Sequence, residues 1–432
     1  MKICLEKGGT HLSFDLPETK LYGLLKGRDI PGLSHTSISQ IIAQGIQDHC
    51  PKEIASKKIA LIIPDDTRLW ARADLFVGDI ISALGQKGVK PSQIKIIIAL
   101  GTHGPIPQKK FARLCGQTID PKIEILNSAG LDETRLVTIG TTSAGTRVTM
   151  TREAWQADHI IIFGGILHHM LAGFGGGRKY ILPGISGENA IQTNHALAMD
   201  KNRNPHPMVK QGICAGNPVS EDMQEGAEIF LKNKTCTYAA VAANGRGELF
   251  YASVGDLHST FQNGCSALDA ACCVDVQTRG DFVLFSAGGK NTDGQLYQAT
   301  KALFNAVSAV KKKGKLLFVA ECGQGVGNDR FKAALKKYKH QPKALGKKLN
   351  TTFCMPEYVA LRVIDMLSQY EITLVSDLDE PHTREIGFEF TQDLKKYITR
   401  LTGKGYVIPY AENILPRISD PGPEPHPPKK GG

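Results

Sequence analysis

Residues 58–100, KIALIIPDDTRLWARADLFVGDIISALGQKGVKPSQIKIIIAL, carry the clearest indication of the fold class. It begins with an almost unbroken apolar run from Lys58 to Pro64 and ends with another from Ile94 to Leu100. Between them, Ala73 to Gly88 has the apolar spacing of an amphipathic helix. This order is typical of a β-α-β unit in a parallel sheet that is covered on both faces. The stretch therefore predicts an α/β fold whose functional loops follow the carboxyl ends of the strands.

The same pattern returns later in the chain, where Asp281 to Gly289 and Lys315 to Cys322 flank a helical segment from Asp293 to Val310. A chain of 432 residues is too long for one ordinary core. We therefore predict two α/β domains with mainly parallel sheets and an active site in the cleft between them. The predicted divisions are an N-terminal domain that opens with a β-hairpin (1–270, with 404–418 as a candidate addition), a C-terminal domain (274–400) and a disordered tail (419–432).

Composition excludes several classes of protein. The net charge of +10 is concentrated in Lys311 to Lys315 and Lys332 to Lys348, which are poor in aromatic residues, so these stretches are interpreted as solvated helix faces rather than a nucleic-acid surface. No apolar run approaches the roughly 18 residues of a membrane span, and the first residues do not resemble a signal peptide, so we expect a soluble cytoplasmic protein. The ten cysteines form no CxxC pair, which argues against a zinc ribbon or a thioredoxin-like site.

Polar side chains follow both strands of the first β-α-β unit. Asp65 and Arg68 come directly after the first strand, and His103 follows the second. Because the carboxyl ends of parallel strands meet at one edge of a sheet, these groups are expected to share a crevice. The alternative for each one alone is structural: a helix cap, a paired arginine and a turn histidine.

A second polar stretch, HHMLAGFGGGRKYILPGISGENAIQTNH, spans residues 168–195 and follows the apolar run HIIIFGG. The glycines at 175–177 allow backbone N–H groups to approach an anionic group, and Lys179 offers a charge or an amine nucleophile. His195 falls within a predicted helix from Glu188 to Met199. The alternative is a glycine-rich surface turn beside a solvated lysine.

A third group lies near the start of the helix predicted from Asp293. Gln298 and Lys301 are three residues apart and share a helical face next to Tyr297, where a carboxylate would also meet the positive end of the helix dipole. A solvated helix face is the alternative. Taken together, the histidines, arginine and lysines favour proton transfer on a carboxylate-bearing substrate. The sequence contains no H-E-x-x-H metal motif, and ECGQGVGND does not match a dinucleotide-binding loop.

Motifs in this order and spacing resemble the nickel-pincer-nucleotide lactate racemase family, whose members also include racemases and epimerases of other 2-hydroxy acids. The likeness rests on DDTRLW, GTH, HHMLAGFGGGRKYILPG, GNPVSED and GGKNTDGQLYQATK, and it extends from about Lys58 to the helix at Pro356. The spacings H-x9-K and K-x15-H, which join His169, Lys179 and His195, make it more specific than any single motif.

The resemblance implies a role for each matching residue. Lys179 would carry the cofactor, a pyridinium-3,5-bisthiocarboxylic acid mononucleotide holding nickel, and His195 would ligate the metal. His103 and His169 would be opposed acid/base groups, while hydride leaves C2 and returns to its other face. The remaining implied contacts are cofactor binding by Asp65, Gly176 and Gly177, and substrate binding by Arg68, Tyr297, Gln298, Lys301 and Tyr358.

The resemblance also implies partners: a small anionic 2-hydroxy acid and the proteins that synthesise the cofactor, with no nucleic acid and no membrane. Some residues depart from the family pattern, among them Leu69-Trp70 where proline is common and Gly175 where serine is usual. These departures leave open lactate or a larger or more polar 2-hydroxy acid. A non-catalytic homologue that binds a nucleotide or carboxylate, and a phosphate-binding transferase that uses the GGGRK loop, are the alternative functions.

Overall fold

The computed structural model of the chain describes residues 1–289 and 292–419, which divide into two compact units. The larger unit comprises Asp29–Ala271 and Gly346–Cys354, and the smaller unit comprises Met1–Arg28, Cys272–Leu345 and the described residues from Met355 onward.

The strands, in chain order, are β1 (Lys2–Lys7), β2 (Thr10–Asp15), β3 (Leu21–Leu24), β4 (Ile59–Pro64), β5 (Ile94–Ala99), β6 (Glu124–Asn127), β7 (Leu136–Thr141), β8 (Arg147–Thr151), β9 (His159–His169), β10 (Gly173–Gly175), β11 (Thr235–Ala243), β12 (Leu249–Gly255), β13 (Cys273–Val276), β14 (Gly280–Ser286), β15 (Val310–Val319), β16 (Glu371–Val375), β17 (Glu389–Phe390), β18 (Gly405–Ile408) and β19 (Leu415–Ile418).

The α-helices are α1 (His35–His49), α2 (Ala73–Gln86), α3 (Ala112–Cys115), α4 (Arg152–Trp155), α5 (Glu188–Ala196), α6 (Pro218–Leu231), α7 (Leu257–Cys272), α8 (Leu296–Ala306), α9 (Asp329–Tyr338), α10 (Pro342–Thr351), α11 (Met355–Gln369), α12 (Glu380–Glu385) and α13 (Leu394–Thr399).

The main sheet of the larger unit has the strand order β12-β11-β9-β4-β5-β6, with β10 attached to β9. β4 pairs in parallel with both β5 and β9, which confirms the β-α-β unit predicted from residues 58–100. Every residue of β4 is buried, and Phe76, Val77 and Ile80 of α2 pack into the same core. Parallel pairing therefore brings the loops after β4, β5 and β9 to one edge of the sheet.

The main sheet of the smaller unit has the order β17-β16-β15-β14-β18-β3, and the pairings along it are parallel. The succession β14-α8-β15 is the second predicted β-α-β unit, so the α/β class with mainly parallel sheets is confirmed. The N-terminal hairpin is also present as β1 and β2.

The two compact units differ from the predicted domains at both ends of the chain. β3 pairs with β18, so the first 28 residues and the strand at 405–408 both belong to the smaller unit rather than to the N-terminal domain. Such a pairing joins residues almost 400 apart in sequence, and no local pattern signals it. Of the predicted tail, only Ser419 lies within the described residues.

The lysine-rich stretches fall on two kinds of element. Lys311, Lys312 and Lys313 are exposed on β15, so the interpretation of this stretch as a helix face was wrong. The stretch from 332 to 348 does lie on helices, α9 and α10. Among the described residues, no helix is both long enough and apolar enough to cross a membrane.

His159, the first residue of β9, is fully buried between threonine hydroxyls. Its Nδ1 lies 2.6 Å from Thr235 Oγ1, and its Nε2 lies 3.2 Å from Thr237 Oγ1. Burial lowers the pKa of His159 to about 4. The imidazole is therefore neutral in the folded protein at neutral pH.

Acid should destabilise the fold through His159. An unfolded histidine titrates near pH 6.5, so between about pH 6.5 and pH 4 the unfolded chain binds more protons and stability falls as the pH falls. His159 alone should lower the free energy of unfolding by about 2 kcal/mol at pH 5, and by about 3 kcal/mol once the pH is well below 4. Urea unfolding of the wild type and of His159→Gln at about pH 8 and pH 5 measures it. We expect the free energy of unfolding to change less with pH in His159→Gln than in the wild type. An equal change in both proteins would show that His159 is not a neutral buried histidine.

Candidate active site

Two glycines in the middle of β9 allow aromatic rings to close onto the strand. A Cβ atom at Gly164 would collide with the ring of Tyr180, and one at Gly165 would collide with the ring of Trp70. The Gly165 N–H also donates to the Tyr180 hydroxyl at 3.0 Å. As a result, the loop after β4, which carries Trp70, and the 3-10 turn Gly177–Tyr180 both pack against β9.

The glycines before this turn have a packing role. Gly176 and Gly177 have positive φ angles of 98° and 54°, and both are buried. A Cβ atom at Gly176 would lie 2.9 Å from the carbonyl oxygen of Gly165, and one at Gly177 would lie 2.8 Å from the ring of Phe261. Backbone conformation and close packing thus explain why glycine is needed at both positions. Their predicted contact with the cofactor stays a prediction.

Lys179 and His169 are in direct contact. The Lys179 Nζ lies 3.0 Å from His169 Nε2. His169 Nδ1 accepts hydrogen bonds from the backbone N–H groups of Leu171 and Ala172, each at 3.2 Å. Both side chains are half-buried. The tight turn after β9 therefore fixes the ring of His169, and the turn that carries Lys179 brings the amine to it.

Asp65 holds the ring of His103. The Asp65 carboxylate accepts a hydrogen bond from His103 Nδ1 and another, of 2.5 Å, from the Thr67 hydroxyl. Burial on its own would raise the pKa of Asp65, but these hydrogen bonds and the nearby charge of Arg68 outweigh it, so the pKa lies below its usual value. A carboxylate only accepts, so in the neutral imidazole of His103 the proton is on Nδ1 and the lone pair is on Nε2. The His103 side chain is 54% exposed and can reach a ligand.

Tyr180 links these two groups of residues. The charges of Arg68 and Asp65 both act on its phenol, which places the loop after β4 close to the turn that carries Lys179. Burial is the main cause that raises the pKa of Tyr180 to about 12, so the hydroxyl stays protonated. The sequence prediction included Lys179 but missed its neighbour Tyr180, for which adjacency within a tight turn was the available signal.

His195 lies near the end of α5 with its ring orientation fixed. Its Nδ1 is 2.7 Å from the carbonyl oxygen of Ile191, and since a carbonyl only accepts, Nδ1 is the protonated nitrogen. Burial is the main cause that lowers the pKa of His195 to about 4, and a positive charge at Lys179, when the amine is protonated, acts in the same direction. The neutral ring therefore presents an Nε2 lone pair, which is the form that binds a transition metal. Phe353 packs beside this ring at 6.1 Å between centroids.

α5 itself is anchored from the neighbouring helix. Asn194, directly before His195, donates to the carboxylate of Asp222 on α6 at 2.8 Å and to the carbonyl oxygen of Val219 at 3.0 Å. Asn194 and Asp222 are both buried. The GNPVSED motif, which contains Asp222, thus helps to position the histidine-bearing helix.

His168 has a separate environment. Its Nε2 lies 2.8 Å from a carboxylate oxygen of Asp269 on α7, and its ring packs against Phe174. Sequence reasoning missed Asp269, because 101 residues separate it from His168 and no local motif connects them.

The other predicted substrate contacts lie in the smaller unit. Tyr297 and Gln298 are half-buried at the start of α8, and Lys301 on the same helix pairs with Glu412 at 3.6 Å. Tyr358 is fully buried on α11, and burial raises the pKa of its phenol. Their substrate roles stay predictions, and Lys290 and Asn291 of the GGKN motif lie outside the described residues.

The larger unit thus gathers a distinct set of groups. The Lys179 amine lies beside His169, and His103 is hydrogen-bonded to the Asp65 carboxylate, which also lies near Arg68. The third histidine, His195, is neutral and has a lone pair available on Nε2. A lysine amine can form a covalent bond with a carbonyl-type carbon, and a neutral imidazole can hold nickel or a similar metal. The two remaining histidines can move protons on and off a bound ligand.

Comparison with known proteins identifies the family to which the chain is similar. Residues 8–206 match the family model described as lactate racemase N-terminal domain, and residues 275–403 match the one described as lactate racemase C-terminal domain. The chain is 24% identical over 418 residues to the lactate racemase of Thermoanaerobacterium thermosaccharolyticum, covering 94% of this chain and 93% of that protein. It is 26% identical over 296 residues to the lactate racemase of Lactiplantibacillus plantarum, covering 67% of each.

Solved structures share the fold. The lactate racemase apoprotein of Thermoanaerobacterium thermosaccharolyticum matches with a TM-score of 0.84 and 23% identity, over 96% of this chain and 100% of the other. A protein from Thermotoga maritima matches with a TM-score of 0.62 and 14% identity, over 91% of this chain and 99% of the other.

The packing of Trp70 on β9 can be tested with two glycine substitutions. Gly165→Ala should destabilise the protein by about 1–3 kcal/mol, because the new methyl group collides with the indole ring. Gly78→Ala on α2 is the matched control, since nothing lies within 4 Å of its Cβ position. Alanine there should stabilise the helix by up to about 1 kcal/mol. Urea unfolding measures both, and a Gly165→Ala protein as stable as the wild type would show that the ring does not pack there.

Proposed function

Because the chain belongs to the lactate racemase family and is therefore an isomerase, we propose that it inverts C2 of a small 2-hydroxy acid. Lactate is the first candidate, and a larger or more polar 2-hydroxy acid is the second. The observation that carries this proposal is the convergence of Lys179, His169 and His195 with the pair of Asp65 and His103 in one unit.

We further propose that the protein uses a nickel pincer nucleotide attached to Lys179 and ligated through nickel by His195. The residues fit such a group. The His195 ring is neutral with its Nε2 lone pair available, and the Lys179 amine lies close enough to it that a charge on the amine would act on that ring. When bound, the cofactor would accept hydride from C2 and give it back, which no protein side chain can do.

His103 and His169 have opposite hydrogen-bonding states, which suits proton transfer on two sides of a substrate. Asp65 accepts a hydrogen bond from His103 Nδ1–H, so in the neutral ring His103 Nε2 is a proton acceptor. Backbone N–H groups occupy His169 Nδ1, so its Nε2 is a proton donor. One histidine would remove the hydroxyl proton while the other holds a proton for the opposite face. Enantiomers present their hydroxyl groups to opposite sides, so both histidines are needed.

Arg68 is the proposed contact for the substrate carboxylate. Its guanidinium donates to the backbone carbonyl and hydroxyl of Thr67, at 3.1 and 2.9 Å, which leaves further N–H groups for a planar two-oxygen ligand. Gln298 and Lys301, with Tyr297 and Tyr358, are proposed to complete the substrate contacts. The expected partners are the 2-hydroxy acid and the proteins that synthesise the cofactor, in the cytoplasm.

The proposal predicts separable effects of two substitutions. Protein produced together with the cofactor-synthesis proteins should carry a mass adduct on the peptide that contains Lys179, and Lys179→Ala should lose both adduct and racemisation. His103→Asn should keep the adduct but lose about 10²–10⁴-fold in turnover, because only proton transfer is removed. Intact and peptide mass spectrometry, with chiral chromatography of the 2-hydroxy acid, measure the two properties. Full racemisation by Lys179→Ala would rule out the attached cofactor, and an adduct without turnover of any 2-hydroxy acid would favour a binding protein.

A further inference from the structure

The contact between His169 and Lys179 determines which nitrogen atoms of these two side chains carry protons. Two backbone N–H groups, from Leu171 and Ala172, donate to His169 Nδ1. A ring nitrogen that accepts hydrogen bonds carries no proton, so in the neutral imidazole the proton is on Nε2. That Nε2 lies 3.0 Å from the Lys179 Nζ.

Only one form of Lys179 satisfies this hydrogen bond. An ammonium group has three donors and no lone pair, so it cannot accept from His169 Nε2–H. A neutral amine has a lone pair and can accept. A protonated His169 is also disfavoured, because a proton on Nδ1 would point at the two backbone N–H groups. The turn geometry after β9 therefore favours an uncharged amine at Lys179.

The surroundings of Lys179 act in the same direction. The side chain is half-buried, and burial disfavours the charged form of a lysine. The titratable group in contact with it is His169 on β9, and His195 on α5 lies within reach of a charge on Lys179. Arg68 and Asp65 of the loop after β4, which act on the adjacent Tyr180, carry opposite charges. The preceding residue, Arg178, is a buried guanidinium that hydrogen-bonds to Ser220 and packs over Phe261. A further positive charge next to it is costly.

We propose that His169 holds Lys179 as an uncharged amine before the cofactor arrives, and so makes Lys179 a nucleophile toward acyl and thioacyl carbon near neutral pH. This inference rests on the proposed function and adds to it the residue that prepares the attachment. His169 then has two successive tasks: it positions the amine first, and it exchanges protons with substrate once the amine has been consumed.

The attachment chemistry balances without any further reagent. The lysine nitrogen forms a bond to the carbon of a thiocarboxylic acid, and the C–OH bond of that acid breaks. The hydroxyl group leaves as water with one amine proton, and a thioamide remains. Neither carbon nor nitrogen is oxidised or reduced, so the step needs no oxidant. It does need an uncharged amine, because the nitrogen lone pair forms the new bond.

Acylation of the cofactor-free protein tests this inference directly. The full chain is treated with limiting N-hydroxysuccinimidyl acetate, which transfers its acetyl group to an amine and releases N-hydroxysuccinimide. Rates are measured by peptide mass spectrometry across about pH 6–10, and the exposed Lys201 of the same chain is the internal reference. The midpoint of the pH profile, rather than the absolute rate, is compared, so that differences in accessibility cancel. We expect the Lys179 midpoint at least one pH unit below that of Lys201, a tenfold larger reactive fraction near pH 7.

Matched variants assign the effect to His169. His169→Leu should move the Lys179 midpoint up toward that of Lys201, whereas His168→Leu, the adjacent histidine with a different partner, should leave it unchanged. His169→Gln keeps an N–H donor and should retain most of the shift. Equal midpoints for Lys179 and Lys201 in the wild type overturn the inference even if a variant fails to fold. A midpoint that His169→Leu does not change also overturns it.

This experiment contains no cofactor, so its result is independent of the proposed function. A lowered midpoint in a protein that never acquires an adduct would leave the amine assignment intact and reject the attached cofactor. If Lys179 acquires an adduct although its midpoint equals that of Lys201, the attached cofactor is supported and the uncharged amine is rejected.

Discussion

The close approach of two aromatic rings to the middle of β9 is the constraint on which the site depends. Tyr180 occupies the space above Gly164, and Trp70 occupies the space above Gly165. Any larger residue at either glycine would push a ring away from the strand. Because Tyr180 belongs to the turn that carries Lys179, this packing also sets the position of the amine relative to His169 at the end of the same strand.

Each histidine of the site is controlled by a different kind of partner. A carboxylate holds His103, backbone N–H groups hold His169, and a helix carbonyl holds His195. Each partner fixes which ring nitrogen carries the proton in the neutral histidine. His103 and His169 are thereby suited to accept and donate protons, and His195 is suited to bind a metal. Asp65 supplies a buried carboxylate to this site, and its lowered pKa keeps it ionised beside His103 and Arg68.

Sequence predicted much of this architecture. Apolar runs at residues 58–100 were enough to predict the β-α-β unit, because buried parallel strands need apolar side chains on both faces. Strand-end placement also predicted that Asp65 and His103 would meet, as they do. Local patterns could not predict that β3 pairs with β18, or that His168 contacts Asp269, since such contacts join distant segments whose sequences are individually ordinary. In the sequence, glycines 176 and 177 indicate only that the backbone can approach an anion, and the close neighbours that also require glycine at both positions are visible only in the structure.

The proposed inversion removes the C2 hydrogen as hydride and returns it, while the histidines exchange only hydroxyl protons with water. Racemisation of a single enantiomer of lactate, or of the 2-hydroxy acid that is turned over, by cofactor-loaded protein in D₂O tests it most directly. Mass spectrometry of the inverted product should find the original hydrogen at C2, because that hydrogen never exchanges with solvent. Deuterium at C2 of the inverted enantiomer would show that a base removes the C2 hydrogen as a proton, and would contradict the account.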